Sequence, residues 1–236
     1  MPEQQQTGRV IALVGAESTG KSTLAAALAP RVAELTGWPC TWVPEYLREW
    51  CDAQGRTPRE AEQEAIALEQ ARRIELAAAT HAVVLADTTP LMTAVYHRQV
   101  FGSQALDAMA LAWQRRCALT LLTALDLPWE PDGLQRDGPQ VRAPVDNRLR
   151  ELLVGAGLAF AVVSGSGPRR LEAALDAMVP VLRLRRAPRT GLLTRLQDRD
   201  AAQPAWLWAC DSCDQPDCEH TAFQQRIRTA GSLQRS

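Results

Sequence analysis

The chain has 236 residues, 46% of them hydrophobic, with a formal net charge of −1 and a pI near 6.3. That length buries one substantial core with room for a small appendage, and the balanced charge supplies no overall positive field, which argues against nucleic acid as a main partner. No apolar run reaches the length of a membrane span, Met1 to Thr7 lack the cationic-then-apolar order of a signal peptide, and the six cysteines do not form an evenly spaced framework, so a cytoplasmic protein with reduced thiols is expected.

In chain order, Arg9 to Val14 (RVIALV) reads as a strand that stops at Gly15, and Ser22 to Leu35 follows with helical spacing of apolar residues. Thr41 to Pro44 is a second extended segment that leads into Glu45-Tyr46-Leu47-Arg48-Glu49-Trp50. Pro58 to Ala79 reads as a long helix, with Ala65, Leu68 and Ile74 expected on its apolar stripe. His81 to Ala86 is a third strand with Asp87 at its end, and Leu91 to Val100 is the helix after it. Leu119 to Leu125 and Leu158 to Val163 supply two more strands, with a helix from about Asp146 to Val154 between them, and Leu171 to Leu184 closes the series. Strands alternating with helices predict a three-layer α/β/α fold of the P-loop NTPase type around a mostly parallel sheet, with ligands at the carboxyl ends of the strands. The expected organisation is a kinase-like domain over residues 1–186 and a Cys-rich tail over 187–236.

The strongest chemical signal is Gly15-Ala16-Glu17-Ser18-Thr19-Gly20-Lys21-Ser22, which matches G-x-x-x-x-G-K-[ST] between a strand and a helix. Such a loop turns backbone N–H groups toward the β- and γ-phosphates of a nucleotide at the positive end of the helix, with Thr23 in its first turn. Lys21 adds a point charge there, and Ser22 can place its hydroxyl on Mg²⁺. Of the 26 basic residues, Lys21 is the single lysine. Asp87 stands where a carboxylate organises magnesium; as Asp-Thr-Thr-Pro it also reads as a helix N-cap. Glu45 and Arg48 face the same end of the sheet, either as working groups or as an ion pair at a helix start. A hydroxyl acceptor needs a carboxylate to take its proton, and both Glu45 and Asp87 qualify. From Trp129 to Arg150 a Gly- and Pro-punctuated loop and helix carry Arg136, Arg142, Arg148 and Arg150, read as a lid whose arginines stabilise phosphoryl charge or as a solvated basic loop.

The ordered segments GAESTGKSTL, PEYLREW, VVLADTTPLMTAVYHRQVFG and LPWEPDGLQRDG resemble the ribosylnicotinamide kinase domain of NadR-type NAD-biosynthesis proteins, from about Val10 to Val181. The resemblance implies ATP- and Mg²⁺-dependent phosphorylation of the ribose 5′-hydroxyl of nicotinamide riboside. It carries over the phosphate loop, Asp87, Glu45, Tyr46, Arg48, Trp129 and Asp132. NadR-type proteins place a nucleotidylyltransferase domain upstream; with the P-loop starting at Gly15, no such domain is expected in this sequence. The family also implies aromatic residues around the nicotinamide ring where this sequence has Pro44 and Arg73; Trp42, Tyr46 and Trp129 are the candidate replacements.

Cys210, Cys213, Cys218 and His220 offer the ligand set of a structural Zn²⁺ site, with free thiols as the alternative. The resulting expectation is a nucleoside kinase. Its rivals are a regulatory nucleotide switch whose zinc-bearing tail binds a partner, and a kinase of the same fold with another small acceptor.

Overall fold

The computed structural model describes residues 7–130 and 138–182. Five strands form one all-parallel sheet in the order β2-β3-β1-β4-β5: β1 is Arg9–Val14, β2 Cys40–Val43, β3 Val83–Asp87, β4 Leu119–Thr123 and β5 Ala161–Val163. Seven α-helices accompany them among the described residues: α1 Lys21–Thr36, α2 Tyr46–Gln54, α3 Gln63–Thr80, α4 Pro90–Phe101, α5 Asp107–Gln114, α6 Arg142–Gly155 and α7 Gly167–Leu182. The expected three-layer P-loop architecture is the observed one.

Alternation along β1 sets the layers. Ile11 and Leu13 pack with α1 and α7 in one core that also holds Leu28, Leu85, Leu121, Leu175 and Met178. Val14 faces the opposite layer with α4, α5 and α6, and Val10 packs beside α3. Because both faces are covered, β3 is buried at every residue, as central parallel strands require.

The chain leaves β1 toward β2 on one side of the sheet and leaves β3 toward β4 on the other. The loops after these neighbouring strands therefore diverge and open a crevice at their carboxyl ends. In the β1–β3 register Leu13 lies opposite Asp87, and the Thr88 amide donates to the Leu13 carbonyl at 3.1 Å. Sheet pairing thus places Asp87 beside the start of the phosphate loop.

Three points differ from the sequence expectation. On α3 the buried side is Ile66, Ala67, Ala71, Ile74 and Ala78, while Ala65 and Leu68 face solvent, Leu68 being 50% exposed. At about 100° per residue, Ala65 lies half a turn away from Ile74. The α5 helix was not anticipated, although Leu106, Ala110 and Trp113, all buried, fall at helical spacing. The helix α6 begins at Arg142, four residues before the expected start, with Pro144 tolerated in its first turn. The tail, including Cys210, Cys213, Cys218 and His220, and the loop residues Asp132 and Arg136 lie outside the described residues.

Candidate active site

The phosphate loop is built from close approaches that exclude side chains. Gly15 has φ +151°, and a Cβ there would meet Thr123 Oγ1 at 2.1 Å. Gly20, at φ +72°, is the N-cap of α1 and supplies no capping side chain, so the first-turn amides of α1 keep their donor capacity for an anion. Thr19 Oγ1 donates to the Ala16 carbonyl at 2.8 Å, and Lys21 Nζ donates to the carbonyls of Gly15 at 2.9 Å and Ala16 at 2.8 Å. The lysine thus caps the loop it belongs to, within reach of where phosphate oxygens would lie.

Asp87 is 1% exposed at the end of β3. Burial pushes its carboxyl pKa up, opposed by a hydrogen bond from Ser22 and by the charges of Lys21 and Arg48, while Glu45 adds to the upward push. These groups therefore share one electrostatic neighbourhood. Asp87 Oδ1 is buried and has no hydrogen-bond partner among the described residues. The N-cap alternative for Asp87 is not what forms: Thr89 occupies the N-cap of α4.

A cleft opens from Lys21 between α2 and α4, lined by Glu17, Glu45, Leu47, Arg48, Met92 and Tyr96. Its neighbouring lobe reaches Gln70, Thr88 and Thr93. Glu45 is the N-cap residue of α2, and Arg48 Nε donates to its Oε2 at 3.0 Å, so the anticipated ion pair forms and faces the cleft. Gln70 of α3 brackets Glu45: its Oε1 accepts from the Tyr46 amide at 2.7 Å, and its Nε2 donates to the Pro44 carbonyl at 3.3 Å. Among the described residues, the two non-glycine residues at positive φ, Ser18 at 51° and Thr88 at 68°, lie in the phosphate loop and at this cleft, where backbone strain tends to concentrate in working sites.

The aromatic candidates separate. Trp42 packs against the α1 and α7 core, on the sheet face away from α3, which removes it as a surface for an acceptor ring. Tyr46 lies under the guanidinium of Arg73, 4.2 Å from its ring centroid. That guanidinium is held by Glu69 at 2.9 Å and by Glu49, and the hydrogen bonds from Arg72 and Arg73 lower the Glu69 pKa to about 2. Trp129 is half-buried beside Glu130, whose backbone exchanges hydrogen bonds with Ser18: Ser18 Oγ donates to the Glu130 carbonyl at 2.8 Å, and the Glu130 amide donates to Ser18 Oγ at 3.1 Å.

On the other side of the phosphate loop lies a mainly apolar groove walled by Ser18, Thr23, Leu127, Pro128, Gly167 and Pro168. Of the arginines expected in a lid, Arg142 is buried at the start of α6 and donates to the Leu127 carbonyl at 2.8 Å. Arg148 and Arg150 pair on their own helix with Glu151 and Asp146. Sequence reasoning missed Gln70, Thr123 and Arg170, which carry no motif of their own and matter here through contacts made across the fold, and Thr88, whose segment was read only for Asp87. Among the described residues no group of three or more His, Cys, Asp or Glu side chains is arranged to hold a metal ion, and no helix is long and apolar enough to cross a membrane.

The family model described as AAA domain (AAA_28) matches residues 10–170. The trifunctional NAD biosynthesis/regulator protein NadR of Salmonella typhimurium is 28% identical over 154 residues, covering 64% of this chain and 37% of that protein. The chain thus spans little more than a third of the length of this curated relative. A crystal structure of a NadR protein in complex with NR superposes with a TM-score of 0.61 at 19% identity, over 79% of this chain and 55% of that one. A second NadR structure, in complex with NAD and AMP-PNP, gives 0.58 at 18% identity, over 78% of this chain and 52% of that one. The resemblance to NadR-type proteins seen in the motifs is therefore also found by sequence comparison over 154 residues, and the solved structures share the fold.

Proposed function

This chain belongs to the AAA_28 family of AAA domains, and on that footing we propose that it is an ATP-dependent small-molecule kinase that phosphorylates the 5′-hydroxyl of a nucleoside, with nicotinamide riboside as the leading acceptor. The observation that carries the reading is the convergence of Lys21, Ser22, Glu45, Arg48 and Asp87 at the carboxyl ends of β1 and β3. The relative's name places it in NAD biosynthesis, and a solved relative was obtained with NR.

In this reading Gly15 to Thr23 cradle the triphosphate, and the groove beside Pro128 and Pro168 takes the nucleoside end of ATP. The residues present suit Mg²⁺: Ser22 and Asp87 already touch, and Asp87 Oδ1 is buried with no hydrogen-bond partner among the described residues, so these two would hold it. Bound there, Mg²⁺ supplies charge neutralisation of the phosphate oxygens. Lys21 exchanges its two carbonyl partners for phosphate oxygens. Asp87 being committed to Ser22, Glu45 is the carboxylate that accepts the proton of the acceptor hydroxyl, with Arg48 holding its orientation. Tyr46 and Trp129, with Asp132, position the acceptor, and Arg136 and Arg142 stabilise charge on the transferred group.

One observation favours a different acceptor on the same fold. Arg73 covers the ring of Tyr46 and Trp42 packs against the core on the other face of the sheet, so of the three aromatic candidates Trp129 is left as the stacking surface. An ADP-release assay with Mg-ATP and a panel of nucleosides, with Lys21→Ala as the blank, tests the proposal. Turnover with nicotinamide riboside that vanishes in the blank supports it, turnover with another nucleoside changes the acceptor, and ATP binding without acceptor-stimulated turnover overturns the kinase reading in favour of a nucleotide switch. A Zn²⁺ site at Cys210, Cys213, Cys218 and His220, within a tail starting at 187, is a separate proposal, which zinc-free purified protein by elemental analysis would remove.

A further inference from the structure

Arg170 is 4% exposed and makes its hydrogen bonds to three separate loops. One terminal nitrogen donates to Asp126 Oδ1 and to the Gly165 carbonyl, each at 2.8 Å. The other donates to the Thr19 carbonyl at 2.7 Å and, longer, to the Ala124 carbonyl at 3.4 Å. Asp126 is further held by the Gly165 amide. Thr19 belongs to the phosphate loop, Ala124 and Asp126 to the segment that continues into Leu127 and Pro128, and Gly165 to the segment that continues into Gly167 and Pro168. One guanidinium therefore ties both walls of the groove to the phosphate loop.

A planar, permanently charged fork suits this task. Its donors point in fixed directions, and burial makes each hydrogen bond stronger and each loss costlier than at the surface. Arg170 is buried while Asp126 reaches the surface, so the bond to the Thr19 carbonyl is the most sheltered part of the tie and the ion pair the more screened part. Arg170 also lines the groove itself.

Resting on the reading of that groove as the seat of the donor nucleoside, we propose that Arg170 and Asp126 are positioning residues that set donor-nucleotide affinity and base selectivity, by fixing the width of the groove and the attitude of the phosphate loop. The acceptor cleft, on the other side of Lys21, shares none of these hydrogen bonds. The pair therefore acts on donor binding and leaves acceptor binding alone.

The test compares the full chain with Arg170→Lys and Asp126→Asn, measuring dissociation constants for Mg-ATP and Mg-GTP by calorimetry without acceptor, KM for each substrate, kcat, and thermal midpoints. Asp126→Asn keeps the side chain's size and its loop position, so it remains informative even where Arg170→Lys fails to fold. The expected result is about a tenfold weaker Mg-ATP affinity in each variant, with the ATP-to-GTP ratio moving toward one. The KM for acceptor and kcat at saturating ATP should stay within about twofold. Unchanged nucleotide affinity and selectivity in a folded variant, or equal losses for donor and acceptor, would overturn the assignment. Failure of the wild-type chain to bind Mg-ATP at all would overturn the donor-site reading itself, a result distinguishable from the variants'.

Discussion

The Oγ1 atoms of Thr19 and Thr123 lie 2.7 Å apart, joining the phosphate loop to the last residue of β4 beneath it. Thr123 is fully buried; since Thr19 gives its one hydroxyl proton to the Ala16 carbonyl, Thr123 is the donor to Thr19, with the Val14 carbonyl at 3.2 Å as the longer, competing acceptor. The loop is thus bolted to the sheet through two hydroxyls, and the Gly15 backbone passes so close to Thr123 that a Cβ there would meet its Oγ1 at 2.1 Å.

Gly15→Ala should therefore abolish nucleotide binding. Its Cβ would stand 2.1 Å from Thr123 Oγ1 and 3.1 Å from the Thr123 carbonyl oxygen, at a φ of +151° that side chains avoid. The double variant Gly15→Ala/Thr123→Ala removes the hydroxyl clash but neither the carbonyl approach nor the φ. Calorimetric titration with Mg-ATP should show rescue that is partial at most. Full rescue would mean that only the side-chain clash mattered.

Asp87→Asn separates chemistry from stability. The carboxyl sits in a buried place that raises its pKa, so the folded state holds the proton better than the unfolded chain does. The sign follows: stability from this group is complete below the ordinary Asp range and is lost as pH rises through the raised value. At neutral pH, Asn should thus equal or exceed wild type in thermal midpoint, and that advantage should shrink on acidification. Activity should meanwhile fall about 100- to 1,000-fold with the loss of metal-organising charge. A large loss of stability at neutral pH would contradict the argument.

Gln70→Leu preserves volume and removes the bracket around Glu45. The Tyr46 amide and Pro44 carbonyl lose their partners, at a cost of about 1–3 kcal/mol if they stay dry. With Glu45 no longer held, acceptor KM should rise several-fold while Mg-ATP affinity stays as in wild type. Steady-state kinetics with each substrate varied reads this directly, and equal changes in both KM values would refute it.

Glu62→Gln probes the entry to α3. Hydrogen bonds from Arg56, and then from the Arg59 amide, hold the Glu62 carboxyl down to about 2. A depressed folded-state pKa contributes stability that is present above the ordinary glutamate range and lost as pH falls through about 2. Because the pair is exposed, the expected loss in thermal midpoint at pH 7 is small, about 1–3 °C. It should diminish in melts below pH 4 and be nearly gone at pH 2.

The sequence by itself determined the phosphate loop, all five strands and five of the seven described α-helices. Each is a local pattern: apolar runs of strand length, helical spacing, and a glycine-and-lysine spacing that only one loop geometry satisfies. Glu45, Arg48 and Asp87 were legible as candidates because they follow strands, and carboxyl ends of parallel strands share one edge. What only the tertiary structure decided is how distant segments meet. The β1–β3 register sets Asp87 against Leu13, side-chain alternation in β2 turns Trp42 toward the α1 and α7 side of the sheet, and Arg73 reaches from α3 to cover Tyr46. Gln70, Thr123 and Arg170 belong to the same class. The contacts that give them their roles, Gln70 to Tyr46, Thr123 to Thr19 and Arg170 to Thr19, join segments 24 or more residues apart, so those roles exist only once the sheet has brought the loops together.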